Sequence, residues 1–254
     1  MKCVLICEGS TDLVLIQYFL EKTYNWEYIP QNRHNDLDLN KFNRAKEFKW
    51  FKQTSENKFL CIVAAGGSTQ ISYQLEQLLL RNSAVMEKDL LVDKIILLTD
   101  NDDENTEVEI LDNVKSVFDE KNITSGDLQN NNWNVVNYDW VGENVSLEFL
   151  PLIIPFETTG AIEDFLLNAL KTESLCSDGV ISNIIDECRR FIENLDCQGR
   201  YLTKRREKTK AKFTSVFVVL TPADAFAERK NLLQSVPWEE YQHVQTAFEK
   251  LALI

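Results

Sequence analysis

Three times in the first half of the chain, a short apolar run suited to a buried strand leads directly into a segment of helical periodicity. The first is "KCVLIC", residues 2–7, followed over 11–22 by Leu13, Ile16, Tyr18, Phe19 and Leu20 at helical spacing behind a Ser10/Thr11 cap. The second is "FLCIVAAGG", which ends in Gly66 and Gly67 and runs into "STQISYQLEQLLLRN". The third is "VDKIILLTDNDDENTEVEILDNVKSVFDEK", read as a strand over 93–99, an acidic turn over 100–104 and a helix over about 106–121. Consecutive buried strands joined through helices pair in parallel by right-handed crossovers, so the pattern predicts an α/β fold, a parallel sheet flanked by helices. Ligand chemistry in such sheets gathers at the carboxyl ends of the strands, where Glu8, Gly66 and Asp100 fall.

The remainder is less regular. Residues 26–57 are polar and read as an insertion, either a loop or a short helix with a loop. A fourth strand is expected within "VSLEFLPLIIPF", residues 145–156, after the polar run "SGDLQNNNWNVVNYDWVGEN". Four helical segments follow: "GAIEDFLLNAL", "GVISNIIDECRRFIENL", "TPADAFAERKNLLQ" with Pro222 just inside its start, and "VPWEEYQHVQTAFEKLALI". This divides the chain into an α/β core over 1–172 and a mostly helical C-terminal extension over 173–254, packed on the core. No clean linker, internal repeat or low-complexity tract interrupts it.

Composition narrows the functional classes. The 254 residues are 44% hydrophobic, enough for a sizeable core. No run of 18 apolar residues occurs, and the N-terminus turns acidic before a signal-peptide apolar region could form, so a cytoplasmic protein without a membrane span is expected. Cys3, Cys7, Cys61, Cys176, Cys188 and Cys197 form no CxxC pair and only two histidines accompany them, which disfavours zinc and favours small buried thiols. A net charge of −13 argues against a protein that coats nucleic acid over its whole surface. One segment runs against that charge: "GRYLTKRREKTKAKF", residues 199–213, sets Arg200, Lys204, Arg205, Arg206, Lys208, Lys210 and Lys212 against the single acid Glu207. It reads either as a solvated helix or loop or as a phosphate-binding patch.

The acids at the strand ends need a partner. Glu8 ends the first strand with Asp12 one helical turn on, and Asp100 ends the third with Asp102 two residues later. Two carboxylates about 5 Å apart at an effective dielectric of about 20 repel by about 3 kcal/mol. A divalent cation relieves that repulsion, and an all-oxygen donor set suits Mg²⁺ or Mn²⁺. Taken singly, each acidic stretch also reads as a polar turn whose acids complement a helix N-terminus.

"CEGSTDLVLIQYFL" resembles the EGxxD opening of the TOPRIM superfamily, which includes topoisomerases, primases and overcoming-lysogenization-defect (OLD) nucleases. "IILLTDNDD" resembles the family's apolar strand followed by DxD, and "VAAGGSTQI" lies where the family has its intervening strand and glycine turn. The resemblance covers residues 1 to about 125 in the family's order. It implies a TOPRIM-like sheet in which Glu8, Asp100 and Asp102 hold Mg²⁺ for phosphodiester chemistry, with Asp12 and Asp103 as contributors. "GAIEDFLLNAL" is similar to a Glu-Asp helix of small TOPRIM-like proteins and adds Glu163 to the acids, with Asp164 beside it as a secondary candidate. "KTKAKF" is similar to a lysine segment in the same group, which makes Lys210 or Lys212 the candidate catalytic cation, with Arg200, Lys204, Arg205, Arg206 and Lys208 left to bind nucleic acid.

The departures from the family matter as much. No GxxxxGK[ST] motif is present, so the ATPase of a full OLD enzyme is missing from this sequence, as are the cleavage and zinc domains of topoisomerases and primases. The resemblance then implies a stand-alone Mg²⁺-dependent nuclease acting on DNA or RNA, of the kind found in phage-defence and mobile-element systems. A separately encoded protein partner or ATPase and a homo-oligomeric state both stay open. Two rival readings also stay open: a non-catalytic TOPRIM-like subunit that binds nucleic acid or a partner, and a phosphotransferase of the HAD type with Asp100 as nucleophile. The second leaves the EGxxD unit unexplained.

Overall fold

Continuous apolar runs buried on both faces make the centre of the sheet, because a strand that meets water on neither side has no reason to alternate. The computed structural model describes residues 1–30, 42, 44–175, 179–195, 199–222 and 233–254. In it β1 (Lys2–Cys7) lies between β4 (Lys58–Ala64) and β5 (Lys94–Asp100), parallel to both. Cys7 stands opposite Ala64 on one side and Leu98 on the other, so the carboxyl ends of the three strands are level. The seven strands run in the order β2-β3-β4-β1-β5-β7-β6. The fold is therefore α/β with a helical C-terminal part, as the sequence predicts.

The flanks differ from expectation. Residues 26–57 are not a mere insertion: they supply β2 (Glu27–Ile29) and β3 (Glu47–Gln53), which extend the sheet antiparallel beyond β4. The run before the fourth strand holds β6 (Asn134–Trp140), antiparallel to β7 (Glu143–Ile154). In β6 the alternate residues Val136, Tyr138 and Trp140 turn inward, and polar neighbours mask that period of two.

Helices α1 (Ser10–Tyr24), α2 (Ser68–Ala84) and α3 (Thr106–Glu120) follow β1, β4 and β5. One face of the sheet, with Val4, Ile6, Val63 and Leu97, forms a single apolar cluster with Leu75 and Leu78 of α2 and Val114 and Phe118 of α3. The rings of Phe118 and Phe149 meet edge to face at 5.2 Å. The opposite parity, Cys3, Leu5, Ile96 and Leu98, is equally buried.

The chain forms two compact units, residues 1–153 with 249–254, and residues 154–248. This moves the division expected after residue 172. The reason is α4 (Ile162–Leu175), which contacts α5 (Val180–Leu195), α6 (Arg205–Leu220) and α7 (Gln242–Phe248) and so shares their core. The last residues return to the first unit, where Lys58 Nζ donates to the Ile254 carbonyl at 2.9 Å and Lys94 Nζ to that of Leu253 at 2.7 Å. The helix expected over 221–234 falls almost entirely outside the described residues. Among the described residues, no helix is long and apolar enough to cross a membrane.

Candidate active site

Glu8 follows β1 directly, and continuing the β1–β5 register sets it opposite Thr99. The Thr99 hydroxyl, 3% exposed, donates to Glu8 Oε1 at 2.5 Å, and the Asp100 N–H donates to the same oxygen at 3.3 Å. On the other side of β1, the N–H groups of Gly66 and Gly67 both donate to the Glu8 carbonyl at 2.9 Å. That pair of hydrogen bonds comes with backbone turned to φ +99° and +135°, a region that glycine enters without strain. Glu8 is thus fixed from both neighbouring strands.

A cavity of about 360 Å³ opens beside it, lined by Glu8, Asp100, Asp102 and Asp103, by Glu109 of α3, and by Ser68 and Thr69 at the start of α2. The four acids that the sequence places at or just beyond the ends of β1 and β5 share this one space. Glu109 was not anticipated, although it falls one helical turn after Thr106, another lining residue. The described lining contains no lysine or arginine. Exposed Lys46, at the entry to β3, lies beside the glycine turn, with its Cβ 3.7 Å from where a Cβ on Gly66 would be.

Two of the expected acids carry structural duties. Asp12 is 8% exposed and is absent from the cavity wall; its Oδ2 accepts the Gly9 N–H at 2.8 Å, the reciprocal half of a capping box, with Gly9 as N-cap where Ser10 or Thr11 was expected. Asp103 accepts the Asn105 N–H at 2.9 Å and donates its own N–H to Thr106 Oγ1 at 2.9 Å, closing the turn that opens α3. The Cys7 thiol is pushed well above its ordinary pKa, first by burial and then by the charges of Asp12 and Glu8. Cys3 and Cys61 are buried thiols as expected and Cys188 is half-buried; Cys176 and Cys197 lie outside the described residues.

The donor set is hard and all oxygen. Among the described residues, no three acidic, histidine or cysteine side chains converge as a finished cage. Mg²⁺ does not need one, since it commonly keeps several waters and takes one or two carboxylates from the protein. Glu8 and Asp100, with Asp102 on the same cavity wall, fit that requirement.

The remaining candidates belong to the second unit. Glu163 is buried in the first turn of α4, and Asp164 Oδ2 lies 3.5 Å from Thr209 Oγ1 of α6. Lys212 is paired with Glu193 at 2.7 Å, while Lys210 is half-buried. Arg200, Lys204, Arg205, Arg206 and Lys208 are exposed. Lys204 is the N-cap of α6, and its N–H is accepted by Glu207 at 3.0 Å.

No protein-family model matches the sequence, and comparison with curated proteins gives no match. Among solved structures, the chain is similar to the crystal structure of hypothetical protein PH0156 from Pyrococcus horikoshii OT3, with a TM-score of 0.51 and 16% identity over 99% of each chain, a likeness of fold alone.

Proposed function

We propose that this protein is a Mg²⁺- or Mn²⁺-dependent phosphodiesterase of TOPRIM-like design that cleaves DNA or RNA. The observation that carries the reading is the level junction of β1 and β5, which opens Glu8, Asp100, Asp102 and Asp103 onto one cavity. Glu8, Asp100 and Asp102 would hold the ion. When bound, the ion supplies an acidified water and stabilises charge on the phosphoryl oxygens.

The chain's own residues prepare the site. Thr99 and the Asp100 N–H both hold Glu8 Oε1, and among the described residues Oε2 accepts from no donor, so the carboxylate presents one oxygen to the cavity in a fixed orientation. Asp103 and Thr106 hold the turn that carries Asp102. Glu109, on the cavity wall, would be the base that accepts a proton from the attacking water. Lys46, beside the glycine turn, is the first unit's candidate for contacting a phosphate.

The test is incubation of purified protein with labelled single- and double-stranded DNA and RNA in Mg²⁺, Mn²⁺ and EDTA. Cutting that needs the metal and is lost in Glu8→Gln is the expected result. The net charge of −13, which slows encounter with nucleic acid, favours a second reading, a TOPRIM-like subunit that binds nucleic acid or a partner without cutting. Binding in Ca²⁺ with no cleavage in any metal would select it.

A further inference from the structure

We propose that the face shared by α5 and α6, where half-buried Arg189 and Lys212 adjoin exposed Lys208, binds the backbone of single-stranded nucleic acid, with Glu193 as a resident counter-ion that an incoming phosphate replaces. The proposal rests on the nucleic-acid reading above and concerns residues of the second unit only.

Helices α5 and α6 pack together, and Lys212 of α6 reaches Glu193 of α5 at 2.7 Å. Arg189 lies one turn before Glu193, so the two share a face of α5, and its Nη2 donates to Asn168 Oδ1 of α4 at 3.0 Å. Lys208 lies one turn before Lys212 on α6, and Arg205 extends the same row. Other charges nearby are already matched: Lys171 bonds Asp186 at 2.6 Å, and Arg190 bonds Glu187 at 2.5 Å. Around Glu193, by contrast, three cations meet one carboxylate among the described residues. The Glu193 carboxyl is held below the usual carboxylate range by Lys212 first, through its hydrogen bond and its charge, and then by Arg189 and Lys208, so all three fields converge there.

In a chain of net charge −13 such a surplus is a local exception. A phosphodiester carries the charge of a carboxylate on oxygens that can face Arg189, Lys208 and Lys212 together, whereas Glu193 is tethered to α5 and among the described residues bonds Lys212 alone. The choice of a single strand comes from Tyr201. It lies three residues ahead of Lys204, the N-cap of α6, and is 83% exposed. An exposed aromatic ring just ahead of the helix that carries the cationic row offers a stacking platform to an unpaired base, which a duplex does not present.

The experiment measures binding of fluorescein-labelled oligo-dT and oligo-U to the full chain in EDTA across a salt series, with duplexes of equal length. Glu193→Gln is expected to tighten single-strand binding severalfold. Lys208→Ala and Arg189→Ala are each expected to weaken it and to lower the salt slope by about 0.7, the share of one phosphate contact. Tyr201→Ala is expected to weaken it about tenfold and leave duplex binding unchanged. Lys208→Arg should restore binding, which separates a charge effect from misfolding. Unchanged affinity in both cation variants, or a wild-type preference for duplex, would overturn the proposal. Because binding is read without metal, it is separable from catalysis. Cation-dependent binding with no cleavage in any metal keeps this site and removes the nuclease reading, whereas cleavage in Mg²⁺ by a protein whose EDTA binding ignores the cation variants does the reverse.

Discussion

At the residue scale, the least conspicuous side chain of the candidate site has the clearest consequence. Thr99 is buried and spends its hydroxyl on Glu8 Oε1. Valine has the same shape without the donor, so Thr99→Val leaves the strand packed and frees the carboxylate to rotate. Removing a partner that orients a metal-ligating side chain typically costs about 10–100-fold. We expect a loss of that size in metal-dependent cleavage for Thr99→Val and recovery of most of it in Thr99→Ser, with the substrate KM little changed; full activity in the valine variant would show that Glu8 needs no such hold. Glu8 and Asp100 were legible in the sequence because acids at the ends of apolar strands are costly without a purpose. Thr99 was not, since a threonine inside a strand reads as an ordinary β-former. Asp12 was legible as an acid but not as a cap, because its duty depends on where Gly9 turns the chain.

At the scale of elements, the turn from β4 into α2 ties two strands together through backbone alone. Gly67 sits at φ +135° and ψ 160°, with no atom within 4 Å of an added Cβ. A substitution there meets open space and fails only on backbone strain, of the order of 1–3 kcal/mol. Gly67→Ala should therefore lower unfolding stability by about that amount in denaturant titration and loosen the bond to the Glu8 carbonyl; an unchanged midpoint would show that the turn relaxes freely. The same element view explains what the sequence concealed. The parallel centre was readable because β1, β4 and β5 are buried on both faces and stay apolar throughout. β3 and β6 were not, because β3 interleaves its aromatics with Lys49 and Lys52, and β6 interleaves its apolar residues with Asn137 and Asp139, so both look like loop. The division after residue 172 missed because helical periodicity identifies α4 without telling which helices it joins.

At the scale of the molecule, the acidic cavity and the cationic row belong to different units. The first unit gathers its carboxylates around a cavity, and the second presents the cationic row of α6. A ligand that binds only the folded form stabilises it by RT ln(1 + [L]/Kd), about 2.7 kcal/mol at a hundredfold excess over Kd, and the protection is greatest where the ligand sits. Hydrogen exchange with and without Mg²⁺ therefore maps the ligand set element by element. We expect slowed exchange over residues 8–13 and 99–106, loss of that effect in Glu8→Gln, and no change along α5 and α6. Protection reaching the first turn of α4 would add Glu163 to the ligands, and its absence there would confine the set to the first unit. Exchange indifferent to Mg²⁺ and Mn²⁺ throughout the chain would remove the metal. Glu8, Asp100 and Asp102 would then stand as a solvated acidic mouth, a poor match for a phosphodiester, and the cationic row of the second unit would become the principal claim to nucleic acid.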